Sequence, residues 1–72
     1  MNRITSIDLK ISKKLISARE ESGIKITAFS SLIGVTHQQL RKYENGQNRI
    51  SAGRLVLFAA ASGKPITYFF SS

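Results

Sequence analysis

Apolar side chains return every three or four positions through most of this chain, and glycines interrupt the rhythm, which predicts helices rather than strands. From Ile7 to Ser22, at about 100° per residue, Leu9, Ile11, Leu15, Ile16 and Ala18 gather on one arc. Lys10, Lys13, Lys14, Ser17, Glu20 and Glu21 take the other side, with Ser6 as the expected cap and Gly23 as the stop. Ile24 to Ile33 predicts a shorter second helix with Phe29, Leu32 and Ile33 pointing inward. Ser30 and Ser31 are small enough there to admit a neighbouring helix. Gly34-Val35 then forms a tight turn. Thr36 has the hydroxyl to cap a third helix, and Gly46 the backbone freedom to close it about two and a half turns later. Beyond a loop of Gln47, Asn48, Arg49 and Ile50, Ser51 caps a fourth helix running to Ser62 and stopped by Gly63. Pro65 suits the start of a short fifth, Ile66 to Phe70. Residues 1–6 carry no rhythm and are expected to form a flexible arm, whose Arg3 is the one group suited to a phosphate or a minor groove. Residues 7–72 form a single domain.

The third helix divides into two unlike faces. Thr36, Leu40 and Tyr43 share one arc with Glu44 at its edge, while Gln38, Arg41, Lys42 and Asn45 occupy the opposite arc and His37 flanks the first turn. That outer face combines amide, guanidinium and ammonium donors without an acid, the groups that hydrogen-bond base edges and phosphates. A helix, a turn with glycine, and a helix with such a face make a helix-turn-helix arrangement. Arg19 falls near the middle of the first helix's apolar arc, where an unpartnered guanidinium is costly. Glu44 is the acid placed inward on its own helix, so an Arg19–Glu44 ion pair is expected, positional in role and small in net stability. The fourth helix is apolar almost all round (Leu55, Val56, Leu57, Phe58, then Ala59 to Ala61), with Arg54 its one charge. With Tyr68, Phe69 and Phe70 this exceeds what one small core needs. Val56, Leu57, Tyr68 and Phe70 are therefore the candidate patch for self-association.

Composition narrows the chemistry. Seventy-two residues give one small domain near the lower limit for a single unaided core. No cysteine is present, which excludes disulfides and thiolate metal sites and makes the cytoplasm the expected compartment. A formal charge of +7 predicts attraction to polyanions. No apolar run reaches the ~20 residues that span a bilayer, and no signal peptide is recognisable. The cationic stretch Lys10-Ile-Ser-Lys-Lys-Leu-Ile has a membrane-surface character, but Arg19 and the downstream glutamates oppose that reading, and no membrane partner is expected. An enzyme is not expected either. His37 is the sole histidine, and Asp8, Glu20, Glu21 and Glu44 make no paired constellation, so neither a catalytic residue, a metal nor a cofactor is assigned.

Several of these stretches carry a family likeness. Leu15-x-x-x-Arg19-x-x-x-Gly23, Gly34-Val35-Thr36 and above all Lys42-Tyr43-Glu44-Asn45-Gly46 resemble the lambda-repressor/Cro-like (Xre-type) helix-turn-helix domains, over about residues 15–70. The segment from Asn48 to Leu55 and the terminal Ile66-Thr67-Tyr68-Phe69-Phe70 are similar to a subgroup common among alphaproteobacterial regulators. The resemblance implies an all-α, compact five-helix bundle that binds double-stranded operator DNA as a homodimer, without catalysis, as a transcriptional repressor. It places Thr36, His37, Gln38 and Lys42 at base-reading positions, and Asn45 at a phosphate contact beside Arg19–Glu44. Arg49 falls in the backbone-facing loop.

The chain departs from the pattern in three places, the mildest being Ser30, where the second helix of the family usually carries a small Ala. The family's phosphate-anchoring Gln at the start of the second helix is Ile26 here, which leaves Lys25 or helix-start N–H groups to replace it, or no anchor at all. His37 stands where Gln is common, which alters base preference. Arg41, Asn45, Arg49 and Lys25 are the phosphate candidates, with Arg41 and Lys42 interchangeable in role. A dimer favours a near-palindromic site with its reading helices roughly 34 Å apart. The alternative is the antitoxin of a toxin–antitoxin pair, its apolar final helices gripping a toxin while it binds its own promoter.

Overall fold

The computed structural model describes residues 4–71. Four α-helices, α1 (Ser6–Ser22), α2 (Ile26–Leu32), α3 (His37–Glu44) and α4 (Ala52–Ser62), precede a 3-10 helix, η1 (Ile66–Phe70). No strand occurs among the described residues. The chain is thus all-α, but the expected five-helix bundle is four α-helices and one 3-10 turn. Only five residues follow Pro65 before the chain turns extended at Ser71, and tight i→i+3 bonds suit so short a run. Tyr68 N–H to the Pro65 carbonyl (3.0 Å) is one of them.

Local chemistry sets the ends. Thr5, not Ser6, caps α1: its hydroxyl accepts the Asp8 N–H, and the Asp8 carboxylate accepts the Thr5 N–H, a complete capping box. The arm expected over residues 1–6 therefore stops short of Thr5, and the part assigned to Met1, Asn2 and Arg3 lies outside the described residues. α2 begins at Ile26 rather than Ile24, because Lys25 is extended and no side chain caps the helix. Thr36 caps α3 through the Gln39 N–H (3.1 Å), and Ser51 caps α4 through the Arg54 N–H (3.1 Å). Both ends of the turn-and-helix unit close the same way. Val35 N–H reaches the Ser30 carbonyl around Gly34 (φ 75°), and Gln47 N–H reaches the Lys42 carbonyl around Gly46 (φ 80°). These are Schellman closures, which need a left-handed residue.

Leu15, Ala18, Phe29, Ile33, Leu40, Leu55, Phe58, Ala59 and Phe69 form the core. Rings from α2, α4 and η1 run through it. Phe29 and Phe58 lie 4.4 Å apart between centroids, and Phe58 meets Phe69 edge-on at 5.9 Å. α1 packs on α3, α4 and η1, while α2 packs on α3 and α4. Two residues expected inside lie outside. Leu32 is 56% exposed because the buried arc of α2 is centred between Phe29 and Ser30, about 110° away at 3.6 residues per turn. Leu9, 47% exposed, lies over Gly46 at the rim of the bundle rather than within it. Buried Ser12 and Ser30 satisfy their hydroxyls on the Asp8 and Thr27 carbonyls.

Candidate nucleic-acid interface

α3 is attached to the bundle by Leu40, which is fully buried, by half-buried Tyr43, and by Glu44. The Glu44 carboxylate receives two bonds from the Arg19 guanidinium, Nε to Oε2 at 2.7 Å and Nη2 to Oε1 at 3.2 Å. The side chains are only 18% and 9% exposed, so water competes little for the contact. The carboxylate's hydrogen bond raises the already high pKa of Arg19 against the opposing cost of burial. Two parallel bonds to a planar fork fix an angle as well as a distance. The pair therefore sets the rotation of α3 against α1 and turns the opposite face of α3 to solvent.

That face carries exposed Gln38, Arg41, Lys42 and Asn45, with Thr36 exposed at the cap and His37 half-buried in the first turn. The Asn45 side-chain oxygen accepts the Gln47 N–H (3.1 Å), so this residue also shapes the exit from α3. Lys25 is exposed at the start of α2. Arg49, in the loop after α3, is engaged by Asp8: its Nε donates to both carboxylate oxygens at 3.2 Å, and its Nη2 lies 3.2 Å from one of them. This pairing spans 41 positions and joins an exposed arginine to a more sheltered aspartate, and no periodicity signals it.

Arg54, the lone charge of α4, lies beside the α2–α3 turn. A Cβ on Gly34 would lie 3.8 Å from its guanidinium Nη1. No local sequence signal marks it, since the Ser51 cap engages its backbone N–H and not its guanidinium.

The acids are held elsewhere. Glu44 pairs inward, Glu21 takes Lys64, Asp8 takes Thr5 and Arg49, and Glu20 lies near enough to act on Arg19. None stands between Ser22 and Tyr43 or after Glu44, so the turn and α3's outer face carry cations and amides without an acid, and Asp8 reaches the following loop from α1. Such a surface can donate to phosphates and to base acceptors together. Among the described residues no group of three His, Asp or Glu side chains could hold a metal ion, and no helix is long and apolar enough to cross a membrane.

Of the candidate association patch, Val56, Leu57 and Phe70 are exposed. Tyr68 is half-buried, with the Lys14 and Lys64 ammonium groups 4.6 Å and 4.8 Å from its ring centroid. Its ring is thus covered by cations rather than offered to an apolar partner.

Residues 15–69 match the helix-turn-helix family. An uncharacterised HTH-type transcriptional regulator of Rickettsia conorii is 51% identical over 67 residues, which cover 93% of this chain and 54% of that protein. The chain spans about half the length of the curated relatives it matches. The restriction-modification controller protein C.AhdI from Aeromonas hydrophila shares the fold with a TM-score of 0.82 at 20% identity, covering 92% of this chain and 100% of that one. The P22 c2 repressor, crystallised in complex with a synthetic operator, does so with a TM-score of 0.76 at 15% identity, covering 85% and 92%. The matching segment reaches from the middle of α1 into η1 and holds the Arg19–Glu44 pair and all of α3. The chain belongs to the helix-turn-helix family, in its lambda-repressor-like (Xre-type) branch.

Proposed function

We propose that this protein is a sequence-specific, double-stranded DNA-binding transcriptional regulator, a repressor that acts as a homodimer in the cytoplasm. The observation that carries the reading is the acid-free outer face of α3, held rigidly outward by the bidentate Arg19–Glu44 contact. Relatives named as transcriptional regulators, and a shared fold with a repressor crystallised on an operator, support it.

In this reading α3 enters the major groove. Thr36, His37, Gln38 and Lys42 meet base edges, with Gln38 suited to an adenine edge and Lys42 to guanine O6 and N7. Lys25, Arg41, Asn45, Arg49 and Arg54 hold phosphates and so fix register. Val56 (58% exposed), Leu57 and Phe70 (60% exposed) form the contact between two copies. Half-sites then lie about one DNA turn apart, and the operator is near-palindromic.

Selection from a random duplex pool at fixed salt tests this reading. It expects enriched sites with two-fold symmetry, and a pool that emerges without a consensus refutes sequence-specific reading. Raising salt from about 50 to 200 mM should cost ~10³–10⁵ in affinity for a dimer touching ~6–10 phosphates. The exposed apolar residues of α4 and η1 also fit a different protein, the antitoxin reading. Copurification with a second small protein, in place of a homodimer, selects it.

A further inference from the structure

Asp8 is the acid that contacts the loop following α3, and an acid beside a DNA-binding edge ordinarily weakens the complex through like-charge repulsion. Its surroundings argue for another role. The carboxylate is anchored from below by the Thr5 N–H (2.8 Å) and hydroxyl (2.9 Å), so the first turn of α1 fixes it in place. From that mount it receives the Arg49 Nε at 3.2 Å on each oxygen, with Nη2 at 3.2 Å.

The Arg49 side chain is 43% exposed and that of Asp8 14%, so the cation is the outer member of the pair. An approaching phosphate meets guanidinium before carboxylate. The loop bearing Arg49 has its nearest backbone anchors at the Lys42 carbonyl, which takes the Gln47 and Asn48 N–H groups, and at the Ser51 cap of α4. Between those anchors the Asp8 contact ties the loop to α1. A long side chain held in one orientation before binding loses less freedom when it binds.

We propose that Asp8 is a positioning residue for DNA binding, one that holds Arg49 at the edge of the α3 face so that an acid strengthens a complex with a polyanion. The inference rests on the reading of Arg49 as a phosphate contact.

Sign separates it from plain electrostatics. Asp8→Asn keeps an oxygen for the Thr5 N–H but removes a negative charge. Charge alone predicts tighter binding, whereas positioning predicts weaker binding. The expected loss is about two- to fivefold, the range that exposed ion pairs span. It should appear on selected and random duplexes alike by fluorescence anisotropy at fixed salt.

Asp8→Glu should recover part of the loss. Thr5→Ala keeps the N–H anchor and loses the hydroxyl one, so it should lower thermal stability and also affinity, the latter by less than Asp8→Asn does. In an Arg49→Ala background, Asp8→Asn should cause no loss, and removal of the bare charge should tighten binding slightly. Tighter or unchanged binding by Asp8→Asn, or a loss that persists without Arg49, overturns the proposal. If Arg49→Ala itself leaves affinity unchanged, the phosphate reading of Arg49 has failed, and the proposal falls with it on separate grounds. Should Asp8→Asn not fold, Arg49→Lys reads the same coupling. It keeps the charge without the fork, so undiminished affinity there is equally decisive against the proposal.

Discussion

The Arg19–Glu44 contact makes an asymmetric prediction about stability. Replacing Arg19 by Met leaves a carboxylate that is 9% exposed and has lost both its donors, whereas replacing Glu44 by Gln leaves a guanidinium that is 18% exposed on a long, flexible stem. The stem can carry its charge to water, and the short acid cannot. Breaking a fully buried pair costs about 3–5 kcal/mol and an exposed pair about 0–1 kcal/mol. A contact this sheltered falls between, so we expect roughly 2–4 kcal/mol for Arg19→Met and about 1–2 kcal/mol for Glu44→Gln.

The double replacement Arg19→Met with Glu44→Met should regain most of the loss, since two apolar side chains leave no charge stranded. Thermal unfolding followed by far-ultraviolet circular dichroism resolves these values, because each kcal/mol moves the midpoint of a domain this size by about 4–8 °C. All three variants should bind operator more weakly than their stability alone requires, since α3 is no longer held at one angle. Equal losses for the two single variants, summing in the double, would refute the reasoning. The pair would then be two independent contributions rather than one coupled contact.

Gly46→Ala should cost about 1–2 kcal/mol from its left-handed backbone. A further part arises because the new Cβ would lie 2.7 Å from Leu9 Cδ2, and Leu9→Ala in the same chain should remove only that part, read by urea unfolding. Gln38→Ala should cost about 1–3 kcal/mol on the selected operator and relax preference at one base pair, while Arg41→Ala weakens all duplexes alike, measured by competition binding. The Thr5 backbone N–H, above all, holds the Asp8 carboxyl below its ordinary 3.8, and Arg49 adds to this. Its share of stability is therefore present above that value and lost as pH falls through the depressed one. Lys64 behaves in the opposite sense. Its bond to Glu21 raises it above 10.5, so its contribution is complete below 10.5 and lost as pH climbs through the raised value. Denaturant midpoints measured across pH should decline at both extremes, and Asp8→Asn should flatten the acid side alone.

What could be read from the sequence was local or forced. Thr36, Gly46, Ser51 and Gly63 announce helix ends by their own chemistry, and the structure uses each of them so. Arg19 was legible for a different reason, since a cation on an apolar arc must find an acid and Glu44 was the inward one. Periodicity puts Leu32 and Leu9 on apolar arcs without fixing each arc's centre, which depends on the neighbours a helix meets, and both lie outside. Ser6 and Thr5 stand side by side as cap candidates, and Asp8, three positions after Thr5, is the partner a capping box requires. The Arg49–Asp8 and Tyr68–Lys14–Lys64 contacts join surface residues far apart in the chain, and neither composition nor spacing encodes them. The base-reading and phosphate roles on α3 rest on chemistry and resemblance, because a helix face offers donors without naming their acceptors.

Phe69, only 1% exposed, holds η1 in the core, and η1 lies against α1. Ile7 and Ser71 consequently line one hollow, so the two ends of the described fold emerge side by side. A short bridge from Ser71 back to Thr5 would close the polypeptide into a ring without disturbing α3. New termini opened at the exposed Gly63 would then give a permuted protein that keeps its grip on DNA.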